Sequence, residues 1–255
     1  MLMSGDDYLQ QLLAKITAPT GVFGPGEKMR QALDPMIRRW AGTQYSELKV
    51  SGSYAKGTAI RGGTDVDIFI SLKPDTSPTL KEIFDSLASY MTAAGYSTRK
   101  QNVSIGISHG GYQVDLVPGK RQNFNSRDHS LWVSRQNTWQ KTNIDTHIDT
   151  VSRSSHTDVI RVMKRWKQCH GLEFPSFALE LATLRALAGR NAAGRASRVM
   201  AVVEWLRDNI TAAALIDPAN TNNNVASELS ATEKIAIARQ AKASRDAAYW
   251  KDVVW

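Results

Sequence analysis

Cysteine is almost absent: Cys169 is the single thiol in 255 residues. An intrachain disulfide is therefore impossible, and the lack of a Cys/His cluster argues against a structural zinc site. One inert thiol fits a reducing compartment, so a cytoplasmic location is expected. Long apolar runs are also missing. Nothing approaches the roughly 18 continuous apolar residues of a membrane-spanning helix, and no membrane partner is expected. The opening MLMSGDDYLQQ has neither a basic nor an apolar block, which argues against a secretory leader. There is no internal repeat, and the one biased run, NTNNN at Asn220–Asn224, is too short to be low-complexity.

Acid is the scarcer charge. Against 32 Lys/Arg stand 24 Asp/Glu, a net charge of +8, in a chain whose 42% hydrophobic and 22% charged content is ordinary for a soluble globular protein. The imbalance is local: Val117–His170 holds ten Lys/Arg against four Asp/Glu. A basic stripe of this kind attracts phosphates, free or polymeric, although a solvated surface accounts for it equally well.

The pattern along the chain changes once. Stretches near Tyr8–Lys15 and Lys28–Trp40 carry apolar positions at helical spacing, broken by the turn-prone TAPTGVFGPGE. LKVSGSYAKGTAIRGGTDVDIFISL reads as strand, glycine-rich turn, strand. Leu80–Ala94 reads as an amphipathic helix, and Asn102–Ser108 and Tyr112–Val117 as a hairpin pair joined at a Gly-Gly turn. After the irregular NFNSRDHSLWVSRQNTWQKTN, helical periodicity takes over in His156–His170, Ser176–Ala188, Ala196–Asn209 and Ala231–Asp246. The expected class is α+β: a lobe over residues 1–150 with a small mixed or antiparallel sheet and the N-terminal helices, then a helical lobe over 151–255.

The chemistry lies in three carboxylates. Asp65 and Asp67, in TDVD, fall on one face of a strand, with Val66, Ile68 and Ile70 on the other. Two acids at this spacing repel one another unless a cation sits between them, although a lone DxD is commonly a solvated face. Asp115, in GYQVDLVP, is flanked by Val114, Leu116 and Val117, and a carboxylate in so apolar a strand is expensive without a partner. On an adjacent strand it would complete an oxygen-rich site suited to two magnesium ions, with manganese as an alternative. Upstream, Gly52-Ser53 follows a strand. A glycine there lets the backbone approach an anion, and the serine hydroxyl can hold phosphate oxygens.

With these residues in view, GSYAKGTAIRGGTDVDIFISL and VDLVP resemble the signature of the DNA polymerase β nucleotidyltransferase superfamily. There, GS precedes a DxD strand and a third acid lies on a later strand. HTDVIRVMKRWKQCHGLEFPSFALELA is similar to the helical part shared by class I CCA-adding enzymes, oligoadenylate synthases and bacterial cGAS/DncV-like nucleotidyltransferases (CD-NTases). IDPANTNNNVASELS resembles a segment of the synthase branch, so that the similarity covers about residues 35–245. The resemblance implies that Asp65, Asp67 and Asp115 bind metal and that Gly52 and Ser53 contact the β/γ-phosphates. It implies phosphate contacts for Lys164, Ser176 and His147 as well. Each of the last three has a plainer reading: a solvated helix lysine, a helix cap after Pro175, and a packed or turn histidine. Trp132 and Trp139 could stack a base or fill a core.

Three functions fit. The first is a template-independent synthase that joins nucleoside triphosphates into a cyclic or linear oligonucleotide messenger, of the anti-phage signalling type, with a downstream effector that reads the product. The second is a CCA-adding-like or tRNA-modifying transferase that acts on an RNA 3′ end. The third is a non-catalytic nucleotide or RNA binder, and the intact acid triad opposes it. With KDVVW soon after the helical lobe, tRNA-measuring domains are not expected, and DPANTNNN points to the synthase. A charge of +8 suits RNA. The synthase is the preferred expectation.

Overall fold

Two separate hydrophobic cores organise the chain. The computed structural model describes residues 3–63, 65–190 and 192–255, so that Thr64, which opens the TDVD motif, lies outside the described residues. In chain order the elements are α1 (Gly5–Ile16), α2 (Pro25–Ala41), β1 (Tyr45–Val50), the one-turn helix α3 (Gly52–Ala55), β2 (Val66–Leu72) and α4 (Leu80–Ala93). There follow β3 (Arg99–Lys100), β4 (Ile105–His109), β5 (Tyr112–Arg121), β6 (His129–Val133), β7 (Thr138–Thr142) and α5 (Ile144–Ser152). The remainder comprises α6 (Thr157–Cys169), α7 (Ser176–Leu187), α8 (Arg195–Asn209), β8 (Ile216–Asp217), β9 (Asn220–Asn224), α9 (Ala231–Asp246) and α10 (Trp250–Val253).

One unit gathers the stretch through Ala18, Thr58–Gly63 and Thr150–Trp255. α1 starts where the Ser4 side chain accepts a hydrogen bond from the Asp7 amide, and its Leu9, Leu12, Leu13 and Ile16 stripe is buried. That stripe shares a core with Val159, Val162, Met163 and Trp166 of α6 and with apolar residues of α7 and α8. The helix at the N-terminus thus clusters with helices more than a hundred residues later, an association that no local pattern announces.

The other unit, Pro19–Gly57 with the run that closes at Asp149, holds a seven-stranded mixed sheet. Its path is β1-β2-β5-β4-β3, with β6 on β5 and β7 on β6; β2 and β5 run parallel and the other pairs antiparallel. The ten-residue β5 pairs with β4 along its first half and with β6 beyond Gly119. Val66, Ile68 and Ile70 on one face of β2 pack with Leu33 and Ile37 of α2 and with Phe84 and Leu87 of α4. The opposite face is left for Asp67. α4 starts on a capping box between Thr79 and Glu82, worth about 1 kcal/mol.

The α+β class expected from the sequence is therefore present, with three local differences. The segment taken as irregular forms the β6–β7 hairpin, in which Trp132 faces Trp139 across the strands and Asn137 takes the left-handed turn conformation at φ 50°. Trp132 packs against the sheet core, whereas Trp139 is exposed. A separate helix, α5 over Ile144–Ser152, precedes the one expected from His156 and carries Ile144, Ile148 and Val151 at helical spacing. NTNNN is strand β9, in a hairpin whose turn is held by the Asp217 carboxylate accepting from the Ala219 amide and from Asn223.

Candidate active site

The backbone of the sheet-bearing unit assembles the site before any side chain is considered. β1 ends at Val50, paired with Ile68, so the following turn meets the start of β2. The Ser51 amide donates to the Asp67 carbonyl at 2.8 Å. Gly52 takes φ +57°, and a Cβ there would lie 1.8 Å from Asp67 Oδ2. Only glycine supplies both the positive φ and the missing Cβ, so this residue type is dictated by the carboxylate pressed against it. Ser53 follows, buried, in α3. On the other side of β2 the parallel register places Asp67 directly beside Asp115, whose antiparallel neighbour on β4 is Gly106. Asp65 is exposed, one residue ahead of β2.

The electrostatics of this corner are those of gathered like charge. Burial pushes the Asp115 carboxyl above the usual carboxylate range, and Asp65 pushes it further in the same direction. Arg99 and a hydrogen bond from Gln101 Nε2 at 2.9 Å oppose the rise without cancelling it. The Tyr54 phenol is raised too, mainly by burial and in part by Tyr112 and Asp65. Among the described residues no three acidic, His or Cys side chains are already drawn together at metal-holding distance. The donor set nevertheless fits divalent cations. Asp67 and Asp115 are abreast, Asp65 is near enough to perturb Asp115, and all the donors are hard carboxylate oxygens of the kind magnesium and manganese prefer.

The remaining expected residues are placed differently. Lys164 is buried in the helical unit, with Nζ donating to Glu180 Oε1 at 2.7 Å and to Thr58 Oγ1 at 2.9 Å. Thr58 in turn donates to Glu180 at 2.8 Å, closing a ring. The solvated-lysine reading fails, and the ammonium already serves a buried carboxylate. Ser176, exposed at the first position of α7, has Lys167 Nζ 3.4 Å from its hydroxyl; the cap position is Pro175, so Ser176 is not the helix cap. Lys167 also donates to the Phe174 carbonyl at 2.7 Å, and burial, followed by Lys164, lowers its pKa. His147 is half-buried on α5. Sequence reasoning missed Gln101, Thr58 and Glu180. The last had a signal: a lone carboxylate inside the apolar SFALELATLRAL has to find a cation.

The profile of the Second Messenger Oligonucleotide or Dinucleotide Synthetase domain matches residues 3–154. The chain belongs to this family. The matched stretch of the synthetase domain contains Gly52, Ser53, Asp65, Asp67 and Asp115. A cyclic AMP-AMP-AMP synthase of Escherichia coli (strain MS 115-1) is 27% identical over 141 residues, which are 50% of this chain and 44% of that protein. The chain thus matches less than half the length of that curated relative. Among solved structures, that of the E. coli MS115-1 CdnC:HORMA-deltaN complex superposes with a TM-score of 0.77 at 21% identity, covering 98% of this chain and 96% of the other. The Bradyrhizobium diazoefficiens CD-NTase CdnG in complex with GTP gives a TM-score of 0.74 at 14% identity over 98% and 96%. At these identities the superpositions establish the fold, and the synthetase domain here has the polymerase β-like nucleotidyltransferase architecture that its GS and DxD motifs imply. Among the described residues no helix is long and apolar enough to cross a membrane.

Proposed function

We propose that the protein is a nucleotidyltransferase that joins nucleoside triphosphates, without a template, into a cyclic or linear oligonucleotide second messenger. The observation that carries the reading is the alignment of Asp67 and Asp115 on parallel strands, with the Gly52 backbone packed against the Asp67 carboxylate. Family membership supports the messenger over an RNA-terminal product.

In this reading Asp65, Asp67 and Asp115 hold two divalent cations. Bound there, such ions supply an activated hydroxyl and charge compensation for the departing pyrophosphate. Gly52 and Ser53 receive the β- and γ-phosphates: the glycine keeps the backbone low, and the buried serine presents its hydroxyl from a fixed turn. Asp115, held by Gln101 and pushed toward its neutral form by burial and by Asp65, is stabilised in its charged form by a cation. Its neighbour Asp67 is fixed by the strand register and by Gly52. His147, Ser176 and Lys164 enter the proposal as the phosphate contacts that the family resemblance implies. The curated relative is named for cyclic AMP-AMP-AMP, which puts ATP first among the substrates to try.

Thin-layer chromatography of reactions containing labelled ATP, GTP, CTP or UTP, with magnesium and with or without tRNA, tests the reading. Small phosphatase-resistant products formed without RNA are expected. Label found only on the 3′ end of added tRNA would replace this reading with the RNA-terminal one.

A further inference from the structure

The sheet face that carries Asp67 and Asp115 continues past them. At the rise of a strand, Phe69 and Ser71 lie about 7 and about 13 Å further along β2, and Gly119 and Arg121 continue the same face of β5. A Cβ on Gly119 would come within 2.5 Å of the Phe69 ring, so the ring lies over bare backbone, edge-on to His129 with centroids 4.8 Å apart. Above this floor is a hollow of about 110 Å³ whose charged lining comprises Lys49, Arg121, Arg127, Glu47 and Asp145.

His129 adds no charge to it. Its Nδ1 is 2.8 Å from the Arg127 carbonyl and its Nε2 2.8 Å from Ser71 Oγ. A carbonyl only accepts, so Nδ1 carries a hydrogen, and on a neutral ring Ser71 Oγ donates to Nε2. Burial pushes the ring's pKa down, in keeping with a neutral imidazole. The hollow therefore carries three cations against two carboxylates. Two of the cations share one acid: Lys49 donates to Asp145 Oδ1 at 2.5 Å and Arg127 to Oδ2 at 3.0 Å, with Glu47 3.9 Å from Lys49 as the second, weaker partner. Arg121 spends its donors on the Ser126 and Phe124 carbonyls and has no carboxylate partner among the described residues.

We propose that this hollow takes a phosphate group of the attacking nucleotide, with Asp145 as the internal carboxylate that holds Lys49 and Arg127 ready for it. A phosphate offers the same pair of oxygens with more charge, and charge-assisted bonds to it are strong. A hollow of this size has room for a phosphate group among the three cations. The inference rests on the function proposed above. With the donor triphosphate at Gly52-Ser53, beside the start of β2, the hollow further along the same face is left to the nucleotide that supplies the hydroxyl.

The test separates donor from acceptor. The donor is an α-labelled 2′,3′-dideoxynucleoside triphosphate, which cannot attack. The acceptor is either an α,β-methylene ribonucleoside triphosphate, which cannot donate, or the free ribonucleoside. The wild-type full chain should prefer the phosphorylated acceptor by about tenfold or more in KM. Lys49→Gln/Arg127→Gln should abolish that preference and leave the donor KM within about twofold. Asp145→Asn, which frees Arg127 and leaves Lys49 only its longer contact with Glu47, should increase the preference. A merely structural ion pair would make the two variants behave alike. A Lys49→Gln/Arg127→Gln protein that keeps the wild-type preference, or an Asp145→Asn protein that loses it, overturns the inference alone. A wild type that joins no nucleotides at all overturns the functional reading and this inference with it.

Discussion

The two units handle buried charge in opposite ways. In the helical unit, Lys164, Glu180 and Thr58 form a closed ring in which cation, carboxylate and hydroxyl satisfy one another. In the sheet-bearing unit, Asp67 and Asp115 stand abreast with Asp65 close by, and the Asp115 carboxyl is driven upward by burial and by its acidic neighbour. A compensated pair maintains a structure. Gathered like charge is a standing cost that a bound cation removes, and a fold retains that cost where chemistry needs it. Single residues show the same contrast: Asp115 stands among like charges, while Lys164 is already paired with the Glu180 carboxylate.

The largest effect should come from the like-charge side. Asp65→Ala/Asp67→Ala should eliminate magnesium-dependent transfer in the product assay, with a native circular dichroism spectrum and a melting temperature, in metal-free buffer, no lower than wild type. The compensated side predicts the reverse signature. Lys164→Met leaves Glu180 buried without its cation and should cost about 3–5 kcal/mol in chemical denaturation. Lys164→Met/Glu180→Met should recover most of that loss. A Lys164→Met protein as stable as wild type would erase the contrast.

Two smaller effects sharpen it. Gly52→Ala must adopt φ +57° and move the Asp67 carboxylate, so a stability loss of about 1–2 kcal/mol together with a deep loss of transfer is expected. Asp115→Asn tests the electrostatics by pH. The folded pKa of Asp115 lies above its unfolded value, so its ionised form costs stability. That cost is absent below the unfolded pKa and grows as pH rises through the folded one. In metal-free buffer, Asp115→Asn should match wild type at acid pH and become the more stable protein towards neutrality. Using the difference between the two proteins removes Asp34, Asp85 and Asp158, whose lowered pKa values make acid destabilising for both.

The legible part of this molecule was the part whose chemistry restricts residue type. Gly52, Asp65, Asp67 and Asp115 could be found because a close backbone approach admits only glycine, and because acids spaced along strands in apolar surroundings require an explanation. The α4 and α9 helices were legible from helical periodicity, and the structure adds the capping boxes Thr79–Glu82 and Ser230–Glu233 that start them. The β6–β7 hairpin was not, because its strands mix charge, amide and tryptophan with no clean alternation and turn on a left-handed asparagine. The fate of Lys164 was hidden for a different reason. Its partners lie 16 and 106 residues away in sequence, and helical periodicity reports which side of α6 is apolar without revealing a carboxylate waiting behind it.

Counting bound manganese tests the central claim most directly. Electron paramagnetic resonance of free manganese, titrated into the full chain with a non-hydrolysable triphosphate present, should reveal two ions per wild-type chain. Asp65→Ala/Asp67→Ala should bind none above the level of the triphosphate alone, and Asp115→Asn fewer than wild type. An unchanged stoichiometry of two in the double variant would contradict the assignment of these carboxylates as the metal-holding centre.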